Sequence, residues 1–149
     1  LVKTEVFTTE TLIIEADPTR LTQVPGNLID NVLWHTAAGG TIVVVTGQVA
    51  TLTTLALPPA YRPAPMPPEP GLVVTVCDTG CGIPAADLPH LFERFYRVDS
   101  SRNRRSGGRG LGLAIVRQII TAHGGHLWVR SSEGQGSCFG FWLPINEIE

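Results

Sequence analysis

Two asparagines four residues apart, Asn27 and Asn31, share one face of any helix that carries them. Their amide oxygens are the hard donors that a Mg²⁺ ion takes when phosphates and waters complete its shell. Farther along, the segment Asp78-Thr79-Gly80-Cys81-Gly82 follows an apolar run. An ionised aspartate there only accepts hydrogen bonds, so it can hold a ligand amine and reject a carbonyl. Next come Phe92-Glu93-Arg94-Phe95 and then Gly108-Arg109-Gly110-Leu111-Gly112. Glycines that open a helix leave backbone N–H groups without intrahelical partners, ready for phosphate oxygens. In this order the four blocks describe a nucleotide site. Taken singly, each has a plainer reading: Asp-Thr-Gly is common turn chemistry, and paired asparagines can be solvated on a helix surface.

Composition bounds the rest. The chain has 149 residues, 43% of them hydrophobic, and a formal net charge of -2, which fits a single domain with a sizeable core. We read residues 1–149 as one unit. Charge is spread along the chain apart from Arg102, Arg104 and Arg105, so nucleic acid is not an expected partner. Apolar runs fall short of the roughly 20 residues that span a bilayer, and no signal sequence opens the chain. The expectation is a cytoplasmic domain that does not itself touch a membrane. Cys77, Cys81 and Cys138 match no metal-binding spacing, and are expected to be buried, reduced thiols.

The elements that must position these groups can be read in outline. Val2 to Phe7 and Thr11 to Glu15 predict two short strands. Asp17 reads as an N-cap with Pro18 at the first helical position. Leu21, Val24, Leu28 and Val32 give the helix an apolar stripe, and Gln23, Asn27, Asn31 and His35 give it a polar one. Pro25 falls inside this helix, which should either kink there or restart. Gly39-Gly40 closes it, Thr41 to Thr46 predicts a central strand, and Val49 to Leu57 a returning hairpin partner. Seven of the twelve prolines lie between Pro58 and Pro70, a stretch expected to be an exposed loop or spacer, with a proline-motif ligand as the alternative. Leu72 to Val76 predicts a buried strand that delivers Asp78 at its end. A short helix or turn over 84–92, a mobile segment from Val98 to Gly108, a helix from Leu111 to His123 closed by Gly124-Gly125, and strands His126 to Ser132 and Ser137 to Leu143 complete the outline.

From about Asp17 to Pro144 the ordered set resembles the ATP-binding catalytic domain of sensor histidine kinases, within the superfamily that includes gyrase, heat-shock chaperone and mismatch-repair ATPases. Phe92 to Asp99, Gly110 to Val116 and His123-Gly124-Gly125 carry most of the likeness. The resemblance implies a two-layer α/β sandwich, with a mixed, mostly antiparallel sheet covered on one face by helices. It implies ATP and Mg²⁺ as ligands, with Asn31 as the catalytic and metal-binding residue and Asn27 supporting it. Asp78 would grip adenine, with Gly80, Gly82 and Ile83 around the base and His35 beside it. Gly108, Gly110, Leu111, Gly112 and Leu113 would meet the phosphates. Residues 96–109 would form a lid in which Tyr96, Arg97 and Arg102 close on ribose and phosphate. Phe92 and Phe95 would anchor that lid. Arg104 and Arg105 could equally be solvated charge.

The implied reaction transfers the γ-phosphoryl group of ATP to a histidine. None of His35, His90, His123 or His126 lies in the family's acceptor pattern. The acceptor is therefore expected on a histidine-bearing dimerisation domain outside this chain, with a response regulator as the indirect partner and a membrane sensor as a common attachment in the family. Two departures count against strong activity. Trp34 stands where the family usually has a lysine or arginine, and Pro25 interrupts the asparagine helix. The alternatives are a nucleotide-binding module with degraded catalysis, and a related ATPase or protein-serine kinase of the same superfamily.

Overall fold

The computed structural model describes residues 1–8, 12–50, 67–68, 70–98 and 110–145. Strand β1 (Lys3–Thr8) leads to helix α1 (Pro18–His35), strands β2 (Thr41–Gln48) and β3 (Gly71–Asp78), a 3-10 turn at Leu88–His90, helix α2 (Gly112–Ala122), and strands β4 (His126–Ser132) and β5 (Gly136–Pro144). The strands form one sheet in the order β1-β2-β3-β5-β4. Only β1 and β2 run parallel; the other three pairs are antiparallel. The expected mixed, mostly antiparallel sheet is therefore present, with β3 at its centre.

Period-two alternation decides which face each strand side chain meets. Ile42, Val76, Phe139, Phe141 and Leu143 join Val24, Leu28 and Val32 of α1 and Val116, Ile119 and Ile120 of α2 in one core. Of the stripe expected on α1, Val24, Leu28 and Val32 are fully buried and Leu21 packs partly buried against that core. On the other face Val43, Val45, Val73 and Trp142 form a second apolar cluster with Trp128.

Helix ends follow local chemistry. Asp17 Oδ1 accepts the Arg20 N–H at 3.1 Å, with Pro18 in the first turn, so the predicted N-cap is formed. At the end of α2, Gly124 has a φ of 73°. Its N–H reaches the Thr121 carbonyl and the Gly125 N–H reaches that of Ile120, which satisfies two orphan carbonyls in a Schellman arrangement.

Several expectations are corrected. Residues 12–15 of the expected Thr11 to Glu15 strand form none, and residue 11 lies outside the described residues, although Ile14 packs on the core. Helix α1 stops at His35 rather than at the glycines, because Thr36 turns extended while its hydroxyl takes the Val32 carbonyl at 2.6 Å. It runs unbroken through Pro25, so the proline starts no new segment; burial of Val24 and Leu28 on either side holds the helix together. Val49 and Ala50 are helical, which ends the strand direction that a hairpin return needs. The remainder of that return, most of the 58–70 loop and most of the 96–109 lid lie outside the described residues.

The cysteines also differ from expectation. Cys77 and Cys138 face each other across β3 and β5 and are joined in a disulfide, while Cys81 is exposed. Their separation of 61 residues hides a juxtaposition that only strand register creates. Closing a loop of that length stabilises a fold by about 4 kcal/mol on the chain-entropy account. In the unreduced native chain a maleimide should label one thiol, at Cys81, and reduction with unfolding should expose all three. Replacing Pro25 by alanine restores a helical donor, and a thermal melt should show a gain of about 1–3 kcal/mol.

Candidate nucleotide-binding site

Asp78 is the last residue of the central strand and is 7% exposed. Its Oδ1 accepts the Gly80 N–H at 2.7 Å, and the Ser137 N–H also bonds the carboxylate. Burial pushes this carboxyl above the ordinary aspartate value, while the Gly80 N–H, His35 and the Ser137 N–H pull the other way. The pocket is thus dry enough to make an ionised carboxylate costly, and the remaining lone pairs form a strong acceptor for a ligand N–H.

The turn after Asp78 is fastened on three sides. The Thr79 N–H reaches the Thr41 carbonyl at 3.1 Å, and Thr79 Oγ1 accepts the Thr41 N–H at 2.9 Å. A Cβ at Gly80 would collide with the His35 carbonyl oxygen, so the turn can lie against the end of α1 only because residue 80 lacks a side chain. Gly82 has a φ of 71° and sits against the Ser132 carbonyl. Positive φ is therefore needed at Gly82 and close approach at Gly80. The Gly134 N–H bonds the Cys81 carbonyl at 2.7 Å, and the Ile83 N–H bonds Ser131 Oγ at 2.8 Å. Ser131 in turn bonds the Gly136 carbonyl and the Ser137 hydroxyl, each at 2.9 Å. Thr79, Ser131 and Ser137 support the site and were missed in the sequence, because a lone hydroxyl on a strand carries no signal of its partner.

His35 is half-buried beside Asp78. Desolvation lowers its pKa and the Asp78 charge raises it less, so the ring stays neutral near pH 7 and presents an apolar face. Asn27 and Asn31 are partly buried on the same helix, and neither side chain bonds another described residue. At Gly112 a Cβ would lie 3.9 Å from the Cγ and Oδ1 of Asn27, so the first turn of α2 abuts the asparagine face. Leu111, the N-cap of α2, makes no side-chain cap and no acidic residue occupies that first turn. Uncapped N–H groups, half a positive charge of helix dipole and an amide oxygen thus meet at one spot. That donor set fits polyphosphate and Mg²⁺.

The lid residues separate into groups. Phe92 packs on the core, but Phe95 is 70% exposed with a φ of 65°. The second anchor is thus its backbone: the Phe95 N–H bonds the Gly110 carbonyl at 3.0 Å, and Gly110, with a φ of 69°, lies against the Tyr96 carbonyl. This bond joins the residues that flank the 96–109 segment. The Tyr96 hydroxyl donates to Asp87 and its ring lies 5.3 Å from that of His90, which ties it to the 84–92 turn. Arg97 is exposed. Ile83 and Leu113 pack partly against the core and Leu111 is partly buried. Arg102 and Gly108 lie outside the described residues.

Comparison with known proteins identifies the class. Residues 16–147 match the family described as Histidine kinase-, DNA gyrase B-, and HSP90-like ATPase, and the chain belongs to it. It is 38% identical over 138 residues to the sensor histidine kinase WalK of Bacillus subtilis (strain 168), which covers 91% of this chain and 20% of that protein. The chain thus spans about a fifth of the length of this relative. Among solved structures, a mycobacterial sensor histidine kinase, MprB, superposes with a TM-score of 0.74 at 28% identity, covering 99% of this chain and 86% of that one. Full-length ShkA, solved in complex with AMPPNP, superposes at 0.70 and 26% identity, covering 97% of this chain and 26% of that one. The fold is that of histidine kinase catalytic domains.

Because the folded pKa of Asp78 is raised, its contribution to stability is present below the unfolded value of 3.8 and lost as pH rises through the folded value. Asp78→Asn should therefore melt higher than the parent at pH 7, with the gap closing toward pH 4. The same variant should bind an ATP analogue about 10- to 100-fold more weakly by calorimetry, the loss of one hydrogen bond to a charged group.

Proposed function

We propose that the domain binds Mg²⁺·ATP and passes its γ-phosphoryl group to a histidine on a dimerisation domain outside this chain. Asp78 accepts the exocyclic amine of adenine. His35, Ile83 and Leu113 flank the base, and Gly80 and Gly82 let it approach the backbone. The N–H groups following Gly110, Leu111 and Gly112 hold the phosphates against the end of α2. Asn31, supported by Asn27, would hold the cation, which would supply neutralisation of the phosphate charge. Tyr96, Arg97, Arg102 and Gly108 belong to the covering lid.

In the transfer, a nitrogen of the acceptor imidazole bonds to the γ-phosphorus as the bond to the β–γ bridging oxygen breaks. ADP leaves, and the imidazole proton passes to a base on the acceptor side. This chain's own share is orientation and exclusion of water. We place the domain in the cytoplasm, where ATP is found, and both paired cysteines are buried away from reductants there. A response regulator is the next phosphate acceptor.

The observation that carries this reading is that one helix, α1, lies beside a buried acceptor at the end of β3 through His35 and beside an uncapped helix start through Asn27. Incubation with labelled ATP and a histidine-bearing dimerisation domain should yield acid-labile label on that partner. Acid-stable label on serine, or ADP release without any partner, would assign the chain to another branch of the superfamily.

Trp34 favours a second reading, a regulatory nucleotide-binding module. It is 57% exposed on α1, one turn beyond Asn31, where the family usually supplies a cation. With that charge missing, binding should be weak and transfer slow. Trp34→Lys should tighten the ATP analogue about three- to tenfold; a parent constant already in the low micromolar range, unimproved by the change, would remove this argument.

A further inference from the structure

We infer that His123 is a positioning residue that sets the register of α2 against α1, and through it the distance between Asn27 and the phosphate-facing start of α2. The ring bridges two helices. His123 Nε2 accepts the backbone N–H of Asp17, the N-cap of α1, at 3.1 Å. His123 Nδ1 donates to the Ile119 carbonyl in the last turn of α2 at 2.7 Å. Both bonds form together only in the neutral ring protonated at Nδ1.

The helices run antiparallel, and their two ends give two tie points. Asp17 meets His123 at one end, and Asn27 meets Gly112 at the other. Ten residues separate the ties along α1 and eleven along α2, about 15 Å in each case at 1.5 Å per residue. Between the ties, Val24 of α1 and Val116, Ile119 and Ile120 of α2 belong to the same buried core. Ridges packed into grooves set how the two helices cross, and the His123 bond adds a tie at one end. A hydrogen bond to a backbone N–H is directional. The backbone donor of Asp17 cannot move without moving the helix that carries Asn27, Asn31 and His35. Nor can the ring move freely, because Gly124 and Gly125 close α2 immediately after it. His123 thereby fixes, from the far end, how closely Asn27 approaches Gly112.

The test uses the 149-residue chain. Gln places an acceptor oxygen near the position of Nε2, whereas Asn reaches only the position of Nδ1, so the inference expects rescue by one and not the other. In His123→Ala and His123→Asn the NMR signals of the Gly112 amide and the Asn27 side-chain amide should shift, and Mg²⁺ with a non-hydrolysable ATP analogue should bind about three- to tenfold more weakly. In His123→Gln both readouts should stay close to the parent. From the other partner, Asp17→Pro deletes the donor and Asp17→Ala does not; the proline variant should reproduce the shift at Gly112 and the alanine variant should not. Unmoved Gly112 and Asn27 signals in His123→Ala and Asp17→Pro, or equal rescue by Asn and Gln, would overturn the inference. The affinity arm rests on the Mg²⁺·ATP reading above. If the parent chain binds no nucleotide, that reading fails, and the NMR arm still decides the role of His123.

Discussion

A carboxylate held at the end of a central strand, where ionisation is costly, is the constraint on which the rest of the structure depends. Asp78 is buried because β2 and β5 flank β3 on both sides. It stays an effective acceptor because the Gly80 and Ser137 N–H groups stabilise its charge. Every neighbour that makes this arrangement possible comes from a different part of the chain. Thr41 anchors the turn from β2, the end of α1 supplies His35, and the β4–β5 hairpin supplies Ser131, Gly134 and Ser137. Asp78 is thus the point at which sheet and helix layers must agree.

The opposite end of the site is built differently. There the groups brought together are uncapped N–H groups at the start of α2 and the Asn27 amide of α1. Such groups are weak singly and depend on alignment, so affinity at this end is governed by how two helices are packed. On the proposed function, helix register rather than any one contact is the quantity that would tune phosphate and metal binding. Trp34, exposed beside Asn31, increases the dependence on alignment because it adds no charge of its own.

Much of this was legible in the sequence where the cause is local. The Asp17 cap, the stripe of Val24, Leu28 and Val32, the run that ends at Asp78 and the glycine closure of α2 are all set by residues within a few positions of one another. What could not be read is what register and tertiary contact create. Cys77 meets Cys138 because β3 and β5 are neighbours. Residues 12–15 have strand-like composition yet form no strand, while Ile14 packs on the core. Phe95 looks like a core residue, yet its φ of 65° directs the chain back to Gly110 and leaves the ring outside. Pro25 looked like a break, but a helix buried along one side tolerates one missing donor. In each case the competing term is long-range packing, which outweighs a local preference of a few tenths to a few kcal/mol.

Base selectivity tests the central role of Asp78 most directly. Calorimetric titration of the chain with Mg²⁺·ATP and, separately, with Mg²⁺·GTP keeps sugar, phosphates and metal the same and changes the base alone, replacing the amine offered to the carboxylate by a carbonyl. The account predicts heat with ATP and binding of GTP weaker by about 100-fold or more, since a carbonyl would oppose a buried anion. Equal affinity for the two nucleotides would contradict it.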